Sequence, residues 1–160
     1  MQKLMGLVRR CVDDYHMIEA GDRVAVGVSG GKDSLTLLVV LAALREYYPI
    51  KFDLAALSVD MGLGGMDFSP VAELCARLNV PYLVKKTEIG PIIFDYRKEK
   101  NPCSMCAKMR RGALNDLMRE QGYNKIALGH HYDDAVETFL MSLLYEGRIS
   151  CFEPVTYLSR

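Results

Sequence analysis

Ser29-Gly30-Gly31-Lys32-Asp33-Ser34 brings together residue types suited to anion chemistry. Two glycines leave backbone N–H groups uncovered. Lys32 adds a full positive charge, and Ser34 adds a hydroxyl donor. Asp33 offers hard oxygens to a cation such as Mg²⁺. An apolar run, Val24-Ala25-Val26-Gly27-Val28, precedes the stretch, and a helix-compatible run from Leu35 to Leu44 follows. Strand, glycine turn and helix aim free N–H groups and a positive helix end at one point, which suits phosphate. A nucleotide-phosphate site is therefore expected at Ser29, Gly30, Gly31, Lys32, Asp33 and Ser34. The plain alternative is a glycine-rich turn capped by Asp33 or Ser34. Two common phosphate motifs do not fit. Walker A needs Gly-Lys-Ser or Gly-Lys-Thr, but Asp33 follows Gly31-Lys32. The dinucleotide fingerprint needs Gly-x-Gly-x-x-Gly, a spacing that Gly27, Gly30 and Gly31 do not provide.

Cys103 and Cys106 form a Cys-x-x-Cys at an expected helix start, entered through Pro102. Residues three apart share a helix side, so both sulfurs can face one ligand. Four readings are open: two structural cysteines, a redox dithiol, half of a zinc site, or an iron–sulfur cluster completed by a third cysteine. Zinc would need two more ligands, and no second pair exists. The surrounding charge is lopsided. Arg97, Lys98, Lys100, Lys108, Arg110 and Arg111 are opposed only by Glu99. Such a run is usually a solvated face. Beside candidate cysteines and a phosphate loop it favours a polyanion, ATP or RNA, with Lys108, Arg110 and Arg111 as RNA contacts.

A third stretch, Leu128-Gly129-His130-His131-Tyr132-Asp133-Asp134, is followed by Glu137-Thr138. Asp133 and Asp134 at a helix start can be charges that favour the dipole. Alternatively, a carboxylate such as Asp133 shares Mg²⁺ with ATP phosphates. His130 and His131 can contact nucleotide or substrate, or move a proton.

Positioning these stretches calls for alternating strands and helices. Helices are expected over residues 2–19, 34–47, 68–78, 103–120 and 133–145, and strands over 23–28, 51–60, from 81, and over 125–128. Cys11 falls in the apolar stripe of the first helix and is expected in the core, as is Cys75. Residues 89–96 have a proline and no clean period, so they read as loop. The alternation implies an α/β, doubly wound, mostly parallel sheet. Ligands in such sheets bind beyond the carboxyl ends of strands. The ends of the first, second and fourth strands carry Ser29–Ser34, Ser58–Asp60 and Gly129–Asp134, so all three stretches converge on one edge. An N-terminal helix (residues 1–20) packs on a nucleotide domain (21–160).

Bulk composition is consistent with this. The chain has 160 residues, half of them apolar and a quarter charged. Lysine plus arginine equals aspartate plus glutamate at 20 each, so no global field draws in nucleic acid or membrane. No apolar run reaches the roughly 20 residues of a membrane span. Met1–Arg10 lacks the order of a secretory signal. Five cysteines, Cys11, Cys75, Cys103, Cys106 and Cys151, argue against a disulfide framework. A cytoplasmic protein with no membrane partner is inferred.

Ser29–Ser34 resembles the PP-loop of the N-type ATP pyrophosphatases, a superfamily that cleaves ATP between the α and β phosphates. Together with Cys103-Ser-Met-Cys106, Arg110-Arg111-Gly112, Leu128–Asp134 and Glu137-Thr138, the chain resembles the tRNA-cytidine 2-sulfurtransferase family. The resemblance implies an adenine-nucleotide alpha-hydrolase-like fold, stopping here after the fourth strand–helix unit where relatives continue. It implies that ATP sits on the PP-loop, with Ser58, Asp60 and Gly129 lining the nucleoside pocket and His130 close by. Asp33 and Asp133 would hold Mg²⁺. A tRNA cytidine would be adenylated at its C2 oxygen and thiolated through a cluster, a 4Fe-4S type held by three cysteines. Cys103 and Cys106 match two of these. The third lies downstream in relatives, and Cys151 is not at its position, leaving it only as a substitute. A sulfur donor protein or sulfide is implied, and a homodimer is left open. Two other readings remain: a PP-loop adenylating ligase without a cluster, and an ATP-binding module without turnover.

Overall fold

A computed structural model describes residues 2–97 and 102–157. The elements in order are α1 (Gln2–Asp14), β1 (Arg23–Gly27), α2 (Lys32–Tyr47), β2 (Asp53–Asp60), α3 (Ser69–Arg77), β3 (Tyr82–Lys86), α4 (Ile89–Pro91), a π-helical segment (Ile92–Arg97), α5 (Pro102–Glu120), β4 (Lys125–Ala127) and α6 (Tyr132–Glu146). The strands form one parallel sheet in the order β3-β2-β1-β4. The α/β parallel architecture expected from the alternation is present.

Strand side chains alternate between two apolar layers, which explains the near-continuous apolar runs of β1 and β2. Val24, Val26, Leu54 and Ala56 meet Leu38 and Leu41 of α2 and Val71 and Cys75 of α3. Ala25, Ala55 and Leu57 face the other way, onto Leu117 and Met118 of α5. Cys75 is buried, as expected.

Three expectations need correction. The first helix stops at Asp14, not near residue 19. His16 adopts a φ of +49°, Met17 N–H donates to the Val12 carbonyl at 3.0 Å, and His16 N–H donates to Asp13 at 3.3 Å. These bonds close the helix end as a left-handed cap that happens to use His16 instead of glycine. Cys11 is exposed, because α1 turns Val8 and Val12 to the core and leaves Cys11 on its flank. Residues 89–97 are helical: Ile89 and Ile93 are buried against Val59, and that anchoring holds a segment whose sequence has no helical period. The apolar side of α6 carries no buried residue; Phe139, Leu140 and Leu144 are exposed.

The N-terminal ends of the strands are held by Asp22, which is 5% exposed. Its Oδ2 accepts from Lys125 Nζ at 2.7 Å and Glu19 N–H at 2.6 Å, and its Oδ1 accepts from Asn124 Nδ2 at 2.8 Å. Burial alone would raise its pKa, but the bonds from Lys125, Glu19 and Asn124 outweigh it and hold the carboxyl below its ordinary range. A lowered folded pKa gives stability that is present above the unfolded value and lost as pH falls through the folded one. Lys125→Met is expected to cost about 1–3 kcal/mol at neutral pH. The gap to the unaltered chain narrows below the ordinary aspartate range, as urea titrations at the two acidities will show.

Candidate functional site

After β1, Val28 N–H donates to Leu57 at 2.8 Å, and the chain then turns away from the sheet. Gly30 takes a φ of +85°, the left-handed region in which glycine is at ease. Gly31 caps α2 with extended backbone, and Lys32 begins the helix. The first N–H groups of α2 therefore lack carbonyl partners within the helix and face the loop.

The loop is braced by Ser34, which is 6% exposed. Its hydroxyl donates to the Gly31 carbonyl at 3.0 Å, accepts from Ser29 N–H at 3.2 Å and lies 3.2 Å from Ser29 Oγ. Gly31 N–H donates to Ser29 Oγ at 3.4 Å. The two serine side chains thus shape the cradle from inside. Ser34→Ala removes the brace; a loss of about 1–2 kcal/mol is expected, with weaker ATP binding, read by thermal unfolding and calorimetry. Lys32 is exposed and its ammonium lies 3.0 Å from both Asp33 oxygens.

Ser58 holds the root of the loop. It is buried, donates to the Val28 carbonyl at 2.7 Å and accepts from Tyr82 Oη at 2.9 Å. Its hydroxyl is therefore committed to the fold. Asp60 ends β2; its Oδ1 accepts from Gly62 N–H at 3.0 Å and its carbonyl from Thr87 N–H at 2.9 Å.

The turn after β4 lies against this loop from the other side. A methyl at Gly129 would stand 2.9 Å from the Asp33 carbonyl carbon and the Ser34 nitrogen. Such proximity requires glycine. His131 Nε2 lies 3.8 Å from Asp33 Oδ1, and its Nδ1 lies 3.5 Å from Asp134 Oδ2. Asp134 also accepts from His131 N–H at 2.7 Å. The adjacent carboxylates thus divide their roles. Asp134 secures the start of α6, whereas Asp133 makes no hydrogen bond or ion pair among the described residues. The His130 ring lies 5.2 Å from that of Phe152.

Cys103 lies in the first turn of α5 and Cys106 at the start of the second, Cys103 exposed and Cys106 half-buried. The Cys106 thiol approaches the Met61 thioether, Sγ to Sδ, at 3.4 Å. Met61 directly follows β2, so the cysteines sit over the carboxyl end of the strand next to β1. Its position is fixed by a bond from Gly90 N–H to its carbonyl at 2.7 Å. Two thiols and a thioether make a soft donor set, suited to iron–sulfur, zinc or copper(I) chemistry more than to Mg²⁺. No cluster of three or more His, Cys, Asp or Glu side chains placed to hold a metal occurs among the described residues. Cys151 lies elsewhere, its Sγ donating to the Ala135 carbonyl at 3.3 Å. Lys108, Arg110 and Arg111 are exposed on α5, while Lys98 and Lys100 lie outside the described residues.

Met61 and Phe152 join the site from outside any sequence motif. Of the histidine pair singled out in the sequence, His131 lies against Asp33 and His130 against Phe152.

Comparison with known proteins bears on this geometry. Residues 6–153 match the profile of the PP-loop domain family. A tRNA-cytidine(32) 2-sulfurtransferase of Geobacter metallireducens is 42% identical over 154 residues, covering 96% of this chain and 60% of the relative. One from Coxiella burnetii is 41% identical over 158 residues, with the same coverages. The chain thus spans about 60% of the length of these relatives. Among solved structures, the U34-tRNA thiolase NcsA from Methanococcus maripaludis, with its 4Fe-4S cluster, superposes with a TM-score of 0.76 at 26% identity, covering 91% of this chain and 50% of that one. An NH3-dependent NAD synthetase from Campylobacter jejuni shares the fold, with a TM-score of 0.50 at 18% identity, covering 91% of this chain and 73% of that one. No helix among the described residues is long and apolar enough to cross a membrane.

Proposed function

This chain belongs to the PP-loop domain family, and from that premise we propose that it serves ATP-dependent thiolation of a tRNA cytidine. One observation carries the reading: the glycine loop Ser29–Ser34 and a cysteine pair stand at the carboxyl ends of neighbouring strands, β1 and β2. One site can then hold ATP and a sulfur-bearing group together. The sulfurtransferase relatives and the tRNA thiolase neighbour support it.

In this reading the ATP phosphates lie on the N–H groups of Ser29–Ser34, with Lys32 turned from Asp33 toward them. Gly129 and Asp60, at the end of β2, border the nucleoside, and Ser58 supports them from inside the fold; His130 stands on the β4 side. Asp33 and Asp133 each offer a carboxylate oxygen to Mg²⁺. Because Mg²⁺ is commonly held by one or two carboxylates plus phosphate oxygens, a pair of aspartates without a third protein ligand fits it. The cytidine C2 oxygen attacks the α-phosphorus, the α–β bridging bond breaks, and pyrophosphate leaves. C2 now carries its oxygen as an adenylate, a good leaving group. Sulfur adds at C2, the C2–O bond breaks, and AMP departs.

Cys103 and Cys106 fit two ligands of a sulfur-held iron cluster, because they lie one helical turn apart and Cys103 is accessible; a third ligand has to come from beyond the pair. Such a cluster, when bound, supplies sulfur at the sulfide level for attack on C2. Lys108, Arg110 and Arg111 contribute positive charge for the RNA backbone. The test is nucleotide accounting: tRNA should stimulate conversion of ATP to AMP and pyrophosphate. ADP and phosphate as products, or AMP release indifferent to tRNA, would overturn the reading.

A further inference from the structure

We propose that Phe152, backed by His130, is a stacking site for a nucleobase at the rim of the phosphate loop, an assignment that rests on the tRNA-modifying reading above. Two aromatic ring contacts occur among the described residues. Tyr48–Phe52 lies in the core. His130–Phe152 stands on the surface, where Phe152 keeps 40% of its area exposed. Beside the polar loop, the exposed part of the Phe152 ring is a face on which a planar group can lie.

The pair is fixed relative to the loop from two directions. His130 lies between Gly129, which abuts the Asp33 and Ser34 backbone, and His131, whose Nε2 is 3.8 Å from Asp33. Phe152 follows Cys151, whose thiol donates to the Ala135 carbonyl in the first turn of α6. The rings are tilted by 39° with centroids 5.2 Å apart, so they already touch. A base therefore stacks on the outer face of Phe152 and not between the two rings. Stacking on an aromatic side chain is a general way of holding an unpaired base.

In the reading above the ATP nucleoside lies between the end of β2 and Gly129, which follows β4. The acceptor nucleotide is assigned the Phe152 ring, which His130 backs. The same stacking chemistry would accept the adenine of ATP, so the experiment separates the two.

Binding of a short RNA stem-loop with an unpaired cytidine is measured by fluorescence anisotropy, and binding of ATP with Mg²⁺ by calorimetry. Phe152→Ala should weaken RNA binding by about tenfold or more and leave ATP binding unchanged, while Phe152→Trp stays close to the original. Weaker ATP binding with unaltered RNA binding keeps the stacking site and makes adenine its occupant. No change in either overturns the proposal. If Arg110→Ala with Arg111→Ala weakens RNA binding and Phe152→Ala does not, the tRNA reading stands and the stacking site falls. If the unaltered chain binds no RNA, the tRNA reading fails, and the ATP arm alone decides whether Phe152 stacks.

Discussion

Anaerobic reconstitution of the Cys106→Ser variant with iron and sulfide is expected to give colourless protein. The unaltered chain should develop the broad visible absorption of sulfur-to-iron charge transfer. The substitution conserves size and replaces a soft thiolate donor with a hard hydroxyl, which iron–sulfur centres do not use as an equivalent. Cys106 is half-buried beside Met61 and flanked by Met105 and Met109, so serine is tolerated sterically. ATP binding at Ser29–Ser34 should survive, since none of the loop's hydrogen bonds involves α5. Iron content should fall close to zero, and tRNA thiolation by about a hundredfold or more, as for loss of a group on which the chemical step depends. Cys103→Ser should do the same. Unchanged iron in both variants would remove the pair from any cluster. A colourless unaltered protein carrying zinc would favour the adenylating ligase.

Gly129→Ala is the second large effect. Its methyl would stand 2.9 Å from the carbonyl carbon of Asp33 and the nitrogen of Ser34, both backbone atoms that cannot rotate away. Either the β4 turn or the start of α2 must shift. The shift lands on the cradle itself and separates His131 from Asp33. Displacement of a reacting group by about 1 Å can cost 100-fold in rate, and a loss of this order is expected in ATP turnover. Overpacking should also reduce stability by about 1–3 kcal/mol. Gly112→Ala is the matched control. A methyl there meets nothing within 4 Å, and alanine within a helix is favoured over glycine by about 1 kcal/mol. Turnover measured beside urea unfolding for both variants separates damage to the site from damage to the fold. Equal turnover in Gly129→Ala and the unaltered chain would show that this close approach does not matter to ATP.

The architecture was legible because local signals agreed with one another. Val24–Val28 reads as a strand buried on both faces, Ser29–Ser34 as the turn and Leu35–Leu44 as the helix, and each is where tertiary packing places it. The misreadings share a physical cause, namely that long-range contacts override local pattern. Ile89 and Ile93 become helical because Val59 and α5 bury them. α1 ends at Asp14 because His16 accepts a left-handed conformation that sequence assigns first to glycine. At the site, residue types were informative but their division of labour was not. Ser34 and Ser58 are hydroxyls near a phosphate loop, yet both point into the fold and brace it. Asp133 and Asp134 are indistinguishable in the sequence, and only the geometry of the α6 start assigns Asp134 to the cap. Met61 reaches Cys106 from 45 residues away, a pairing that no spacing could suggest.

The proposed chemistry is tested most directly by nucleoside analysis. Reconstituted protein is incubated anaerobically with tRNA, ATP, Mg²⁺ and sulfide, and the RNA is digested and examined by mass spectrometry. The expected result is 2-thiocytidine in step with AMP and pyrophosphate, abolished by omitting ATP and by Cys103→Ser. ATP consumed to AMP with the cytidine unmodified, or 2-thiocytidine formed without ATP, would contradict it.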